Sequence, residues 1–159
     1  MANEMENGNL KALNEMKSAI ENSHRIVVLT GAGASVPSGI PDFSSAHGLY
    51  ATSFGKYPAE TVISHDFFMM HPKEFYDFYK SKMVYPDAKP NAMHALLARL
   101  ERSGKIEGIV TQNIDGLHQA AGSKRVLELH GTVHKNHCLK CGKFYDMDYI
   151  AQSNGVPHC

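Results

Sequence analysis

Three short apolar runs in this chain each end in a cluster of polar residues suited to holding a ligand. "RIVVLT" (25–30) runs into "GAGASVPSGIPDF", "KIEGIV" (105–110) runs into "TQNID", and "RVLEL" (125–129) runs into "HG". Gly31 and Gly33 can turn tightly after a strand and let a phosphate approach the backbone; a plain packing turn is the alternative. Val36 stands where the usual dinucleotide fingerprint has its third glycine. Ser35 is placed to cap the turn before Gly39. Asp42 and Phe43, held by Pro41, suit a sugar and a flat heterocycle just beyond such a loop, although Asp42 also suits a turn cap. Gln112, Asn113 and Asp115 put two amides and an acid at one strand end. Burying them is unfavourable unless they meet partners, and a ligand carrying carboxamide and hydroxyl groups would supply these. Turn formation is the competing explanation, since Asn and Asp are turn formers. His130 ends the third run, and an imidazole at the mouth of a crevice suits general-base work. His94 and His118 fall on expected helices and read as structural.

A second kind of chemistry lies near the end of the chain. Cys138 and Cys141 are two residues apart, and Cys159 follows after 17 more. The first pair has the spacing of half a tetrahedral zinc site, and Cys159 lies where a second pair would begin. His137 and His158 are each adjacent to a cysteine, and neighbouring ligands strain a tetrahedron. Three unrelated buried thiols are the alternative.

The elements that must position these residues follow from pattern. Leu10, Leu13, Met16 and Ile20 have helical spacing, so a helix is expected over 9–22. The three apolar runs read as buried parallel strands. Residues 44–64, punctuated by Gly48, Gly55 and Pro58, read as irregular and mobile. Pro72 suits a first helical position ahead of Phe75, Phe78, Tyr79 and Met83. Asn91 suits the cap of a helix whose core stripe is Met93, Leu96, Leu97 and Leu100, ending at Gly104. Asp115 is placed to cap a short helix closing at Gly122. Strands alternating with helices imply a parallel sheet with crossovers, in which ligands sit at the carboxyl ends of the strands. All three polar clusters then face one crevice.

Bulk properties set the class. A chain of 159 residues suits one ordinary domain, and its 43% hydrophobic content supports a core. Net charge is zero, which leaves no electrostatic footprint for nucleic acid or an anionic membrane. No apolar run approaches the ~18 residues of a membrane span, and no signal peptide is evident at the start. A cytoplasmic location is expected. The oligomeric state is not legible.

"GAGASVPSGIPDF", "HDFFMMHPKEFYDFY", "KPNAMHALLARLE", "TQNIDGLH", "ELHG" and the Cys-x-x-Cys pair resemble, in the same order, the sirtuins of bacterial type. These are NAD-dependent protein lysine deacylases. The likeness runs from about residue 10 to the last residue. It implies an α/β fold: a Rossmann-like parallel sheet, here incomplete, with a small inserted helical and zinc-binding domain. Residues 9–45 and 104–133 would belong to the sheet domain, 46–103 to the helical part, and 134–159 to an incomplete zinc module. It implies that Ala32, Gly33 and Ser35 lie along NAD, with Asp42 and Phe43 near its nicotinamide end. Gln112 would meet the nicotinamide ribose, and Asn113, Ile114 and Asp115 would take the carboxamide. The acetyl-lysine oxygen would attack C1′ of that ribose, and nicotinamide would leave. His130 would contact the ribose and act as general base on its hydroxyls, giving free lysine and O-acetyl-ADP-ribose. Asn113 and His130 are thus the expected catalytic residues, Cys138, Cys141 and Cys159 hold a structural zinc ion, and an acetylated protein is the substrate.

Two departures qualify the likeness. Ser44 stands where the family has an arginine that contacts the cofactor, and serine lacks that charge and donor fork. A fourth cysteine, the peptide-binding segment and the adenosine-binding strands of the family lie beyond residue 159, so a shortened chain or a fragment is expected. A catalytically inactive remnant or binding module, and a protein ADP-ribosyltransferase, are the competing functions.

Overall fold

The computed structural model describes residues 2–159. Helix α1 (Ala2–Asn22) leads into strand β1 (Ile26–Thr30). Two single-turn 3-10 segments, Ala32–Ala34 and Val36–Ser38, form the glycine loop. A helical lobe follows: a third 3-10 turn (Leu49–Ala51), a hairpin of β2 (Ser53–Phe54) and β3 (Tyr57–Pro58), and helices α2 (Ala59–Val62), α3 (His65–Met70) and α4 (Pro72–Lys82). Helix α5 (Ala92–Arg102), strand β4 (Ile106–Thr111), helix α6 (Leu117–Ala120) and strand β5 (Val126–Glu128) return the chain to the sheet. A last module contains β6 (Asn136–His137), β7 (Phe144–Tyr145) and α7 (Met147–Gln152).

The sheet is parallel, in the order β1–β4–β5. Its register pairs Thr30 with Thr111 and Thr111 with Glu128. The carboxyl ends therefore lie side by side, as crossover connections between parallel strands require. Helix α5 packs against β4 and α6 packs against α5. The other sheet face carries Val27, Leu29, Leu127 and Leu129, all well exposed.

Helix ends follow local chemistry. Asn91 caps α5: its Oδ1 accepts from the backbone N–H groups of Met93 and His94, while His94 Nδ1 accepts from the Asn91 N–H. This is a capping box with histidine in the usual Glu or Gln position. Gly104, at φ +78, ends the helix in a conformation that favours glycine. Pro72 opens α4 at a position where no N–H is missed.

Three expectations are corrected. Residues 44–48 are bends and turns as expected, but residues 49–62 are largely regular. The Leu49 and Tyr50 N–H groups donate to the Asp42 and Phe43 carbonyls, closing a loop, and Leu49, Ala59 and Val62 enter the lobe core with Phe67 and Phe78. Glycine and proline there shape a hairpin and short helices rather than a connector. The α5 stripe is also rotated from expectation. His94 and Ala98 are its fully buried positions, whereas Leu96 is 42% exposed. The four-residue spacing of 94 and 98 sets the inner face, and two small or polar side chains fit its close approach to β4. Finally, the third strand ends at Glu128, so His130 stands in the following turn.

Phe78 is fully buried and meets Phe54 edge-on at 5.7 Å. Phe78→Ala is expected to cost ~3–5 kcal/mol, and Leu96→Ala under about 1 kcal/mol. Urea denaturation followed by circular dichroism checks both; a large Leu96 effect would contradict the rotated stripe.

Candidate functional site

The glycine loop and the segment after β4 are bound together by one chain of hydrogen bonds. Asn113 is buried, and its Nδ2 donates to the Gly31 carbonyl at 3.1 Å and to Ser35 Oγ at 3.0 Å. Ser35, 1% exposed, donates its hydroxyl hydrogen bond to Asp115 Oδ2 at 2.6 Å. Asp115 Oδ1 accepts from the Leu117 N–H at 2.9 Å and so starts α6, as expected from sequence. Ser35 does not cap the turn before Gly39, because its side chain accepts no amide there. The serine is drawn inward instead, since a half-buried carboxylate is a stronger partner than a local amide. Both Asn113 N–H donors are engaged within the protein, so its Oδ1 is left to accept from a ligand.

Two cavities meet at this chain. The first, of about 270 Å³, is lined by Ser35, Ile40, Pro41, Phe43, Asn113 and Asp115 among others. It is smaller than a typical drug-sized site and suits a single ring with a polar substituent. The second, of about 570 Å³, includes Tyr50, Phe75, Tyr79, Gln112, Thr132 and His130. Ala32, Phe43, Met83, Asn113 and Ile114 line both cavities and form their common wall. Burial pushes the Tyr79 phenol up to about 12, so it stays a neutral part of an aromatic wall, stacked on Phe75.

His130 is exposed in the second cavity, and its Nδ1 lies 3.1 Å from the Gln112 carbonyl. A carbonyl only accepts, so Nδ1 carries the proton and Nε2 keeps its lone pair. That is the tautomer a base needs. The other expected residues fall differently. Gly33 is exposed on the loop and lines neither cavity. Asp42 also lines neither; its Oδ1 accepts from the Ser45 N–H, which holds its carboxyl below the usual range. That is the turn-cap arrangement. A Cβ on Gly48 would meet Asp42 Oδ1 at 2.6 Å and the Phe43 backbone at 2.7 Å, so this glycine is what allows the loop to close behind Phe43.

Sequence reasoning missed His134. Its Nε2 donates to the Asp115 carbonyl at 2.9 Å, and its ring packs where a Cβ on Gly116 would lie. Only the positive φ required of Gly116 could have signalled it. The contribution of Met83, Tyr85 and Pro86 to the first cavity was equally hidden, since it depends on how the lobe folds back.

The sulfur atoms of Cys138, Cys141 and Cys159 lie within 4.8 Å of one another. A tetrahedral thiolate zinc site needs sulfurs about 3.8 Å apart, so a small adjustment suffices. The N–H groups of Cys141 and Lys140 point at Cys138 and lower its thiol to about 7, which favours the thiolate a metal binds. The three residues fit zinc. Lys80 of α4 ties this module to the lobe through the Ser153 and Gly155 carbonyls. The sulfurs line neither of the two cavities.

A parallel sheet, a glycine loop at its first carboxyl end and an amide-lined cavity beside it define a protein of Rossmann-like α/β fold with an appended thiolate module. The family can be stated as well. The Sir2 family model matches residues 31–159, and the chain belongs to that family, the sirtuins. It is 53% identical over 148 residues to an NAD-dependent protein deacetylase of Clostridium perfringens, covering 92% of this chain and 61% of that relative. It is 47% identical over 152 residues to the deacetylase of Thermotoga maritima, covering 92% and 59%. A solved structure of Sir2 with p53 peptide and NAD+ superposes with a TM-score of 0.76 at 46% identity, covering 91% of this chain and 57% of that one. A Sir2 variant with deacetylated p53 peptide and 3′-O-acetyl ADP ribose gives 0.77 at 48%, covering 86% and 54%. The chain spans about 60% of the length of the curated relatives it matches.

Cobalt(II) added to the reduced protein is expected to give thiolate charge-transfer absorption, and Cys141→Ser to remove most of it. Bound cobalt without that absorption would place the ion elsewhere.

Proposed function

We propose that the protein carrying this chain is an NAD-dependent protein lysine deacetylase, and that this segment holds its nicotinamide end. The observation that carries the reading is the common wall of the two cavities. Asn113, whose Oδ1 is free to accept, belongs to that wall, and His130, whose Nε2 is free, lines the second cavity beside it. NAD, when bound, supplies an electrophilic ribose carbon with nicotinamide as leaving group. The residues of this chain do the rest. The small cavity takes the nicotinamide ring, with its carboxamide N–H toward Asn113 Oδ1. Ala32 and Phe43 form the wall between ring and ribose, and Gln112 stands at the ribose edge. His130 Nε2 takes a proton from a ribose hydroxyl, and its Nδ1–H bond to the Gln112 carbonyl holds the ring still while it does so.

The substrate reading is an acetylated lysine on a protein. One Sir2 structure similar to this chain is described with a p53 peptide and NAD+, and another as bound to an acetylated peptide. The aromatic second cavity suits a neutral acyl-lysine chain and offers no cation for an acidic one among its lining residues. Zinc at the three cysteines would be structural, because they lie outside both cavities. Three clustered free thiols suit a reducing compartment such as the cytoplasm.

In the intact protein, acetyl-lysine peptide and NAD are expected to give nicotinamide and acetylated ADP-ribose. His130→Ala is expected to lower product formation by ~10²–10⁴ while NAD binding, read by calorimetry, changes little. Unchanged turnover in that variant would refute the assignment. ADP-ribose left on the protein target would instead favour transfer chemistry.

A further inference from the structure

Two histidines lie directly behind the site and belong to neither cavity. His94 of α5 and His118 of α6 are 0% and 1% exposed. Their ring centroids are 4.8 Å apart, with the rings tilted by 63°. Each has one nitrogen engaged. His94 Nδ1 accepts from the Asn91 N–H at 3.3 Å, and His118 Nε2 lies 2.9 Å from Thr30 Oγ1. The other two nitrogens, His94 Nε2 and His118 Nδ1, are buried without a partner.

The tautomers follow by elimination. Acceptance at Nδ1 puts the His94 proton on Nε2, so a buried N–H there needs an acceptor. If His118 carried its proton on Nδ1, two buried donors would face each other's rings with no acceptor. With the proton on Nε2, His118 donates to Thr30 Oγ1, and only one of the two unpaired nitrogens is then a donor. Thr30 Oγ1 then donates to Thr111 Oγ1 at 2.9 Å, and Thr111 also accepts from the Asn113 N–H at 3.0 Å. At the other end, Asn91 Nδ2 donates to the Ala34 carbonyl and to Ser38 Oγ in the glycine loop. Polar groups thus run behind the amide cavity from Asn91 to Asn113, joined between His94 and His118 by ring contact alone.

We propose that His94 and His118 are a neutral positioning pair, which sets the Thr30–Thr111 hydroxyls and through them the main chain that carries Asn113 toward the nicotinamide carboxamide. This rests on the functional reading above, since it deepens the role of Asn113. Neither histidine touches ligand or the reacting atoms. Burial pushes both imidazoles below their ordinary value, and His94 pushes His118 further. The Asp115 carboxylate opposes this for both, and the threonines from the strands carry no charge. A group whose folded value is depressed binds protons more readily when unfolded. The pair's contribution is therefore complete above about 6.5 and is lost as pH falls below it.

Imidazole ¹⁵N resonances of the intact protein test the pair directly. Both rings are expected as neutral Nε2–H tautomers that stay neutral while exposed histidines titrate. His118 found as Nδ1–H, or titrating with the exposed histidines, would overturn the proposal. Exchange of labelled nicotinamide into NAD tests the consequence. His118→Leu is expected to raise half-saturating nicotinamide by roughly tenfold or more. His118→Gln keeps a donor near Thr30 and is expected to restore most of that loss at equal thermal stability. Equal nicotinamide saturation in the wild type and both variants would overturn the proposal, as would failure of Gln to restore. Absence of exchange in the wild type would refute the functional reading instead, and the tautomers would still decide the pair.

Discussion

The interaction on which this structure depends is the double donation from Asn113 Nδ2 to the Gly31 carbonyl and Ser35 Oγ. A side-chain amide in a buried position is costly to leave unpaired, by about 1–3 kcal/mol. The parallel register that aligns Thr30 with Thr111 brings the glycine loop within reach, so the amide is satisfied by the loop and the loop takes its shape from the amide. Ser35 then turns inward to Asp115 rather than capping its own turn, and Asp115 in turn starts α6. The loop, the strand end and the short helix form one unit because their polar groups have no water to turn to.

That unit leaves specific valences open. Every Asn113 donor is engaged and its oxygen is free. His130 has one nitrogen committed to a backbone carbonyl and the other free. Asn113 is part of the wall that the two cavities share, with the apolar Phe43, Met83 and Ile114, and His130 lines the second cavity. On the proposed reading, such an arrangement would accept an amide-bearing ring and handle a proton without requiring either group to be charged at rest. The thiolate module is attached through Lys80 and its backbone partners. Its chemistry is that of a brace, set apart from both cavities.

Much of this was readable from residue order. β-branched runs followed by polar clusters identified the parallel strands, although the strands are not buried on both faces as expected, since the face with Val27, Leu29 and Leu127 is exposed. Asn91, Gly104 and Asp115 marked helix ends through local capping, which needs only near neighbours. Asn113, His130 and the three cysteines could be singled out by type and position. The segment 44–64 could not be read, since its glycines and prolines are equally at home in a connector and in a hairpin of two-residue strands. Leu96 was misplaced because a stripe of leucines satisfies helical period on more than one face. Which face is inner depends on how closely α5 approaches β4.

Sequence by itself therefore determined the class of fold, the order of its elements and the residues able to do chemistry, because propensity, capping and hydrophobic period act over a few neighbouring positions. Only tertiary structure decided what those residues do. It sent Ser35 to Asp115 across 80 positions, turned Asp42 back on its own loop, brought His134 beneath Asp115 and buried His94 against His118. These outcomes depend on which unpaired donors and acceptors meet once the sheet is assembled, and hydrogen-bond complementarity between distant segments leaves no period or spacing along the chain.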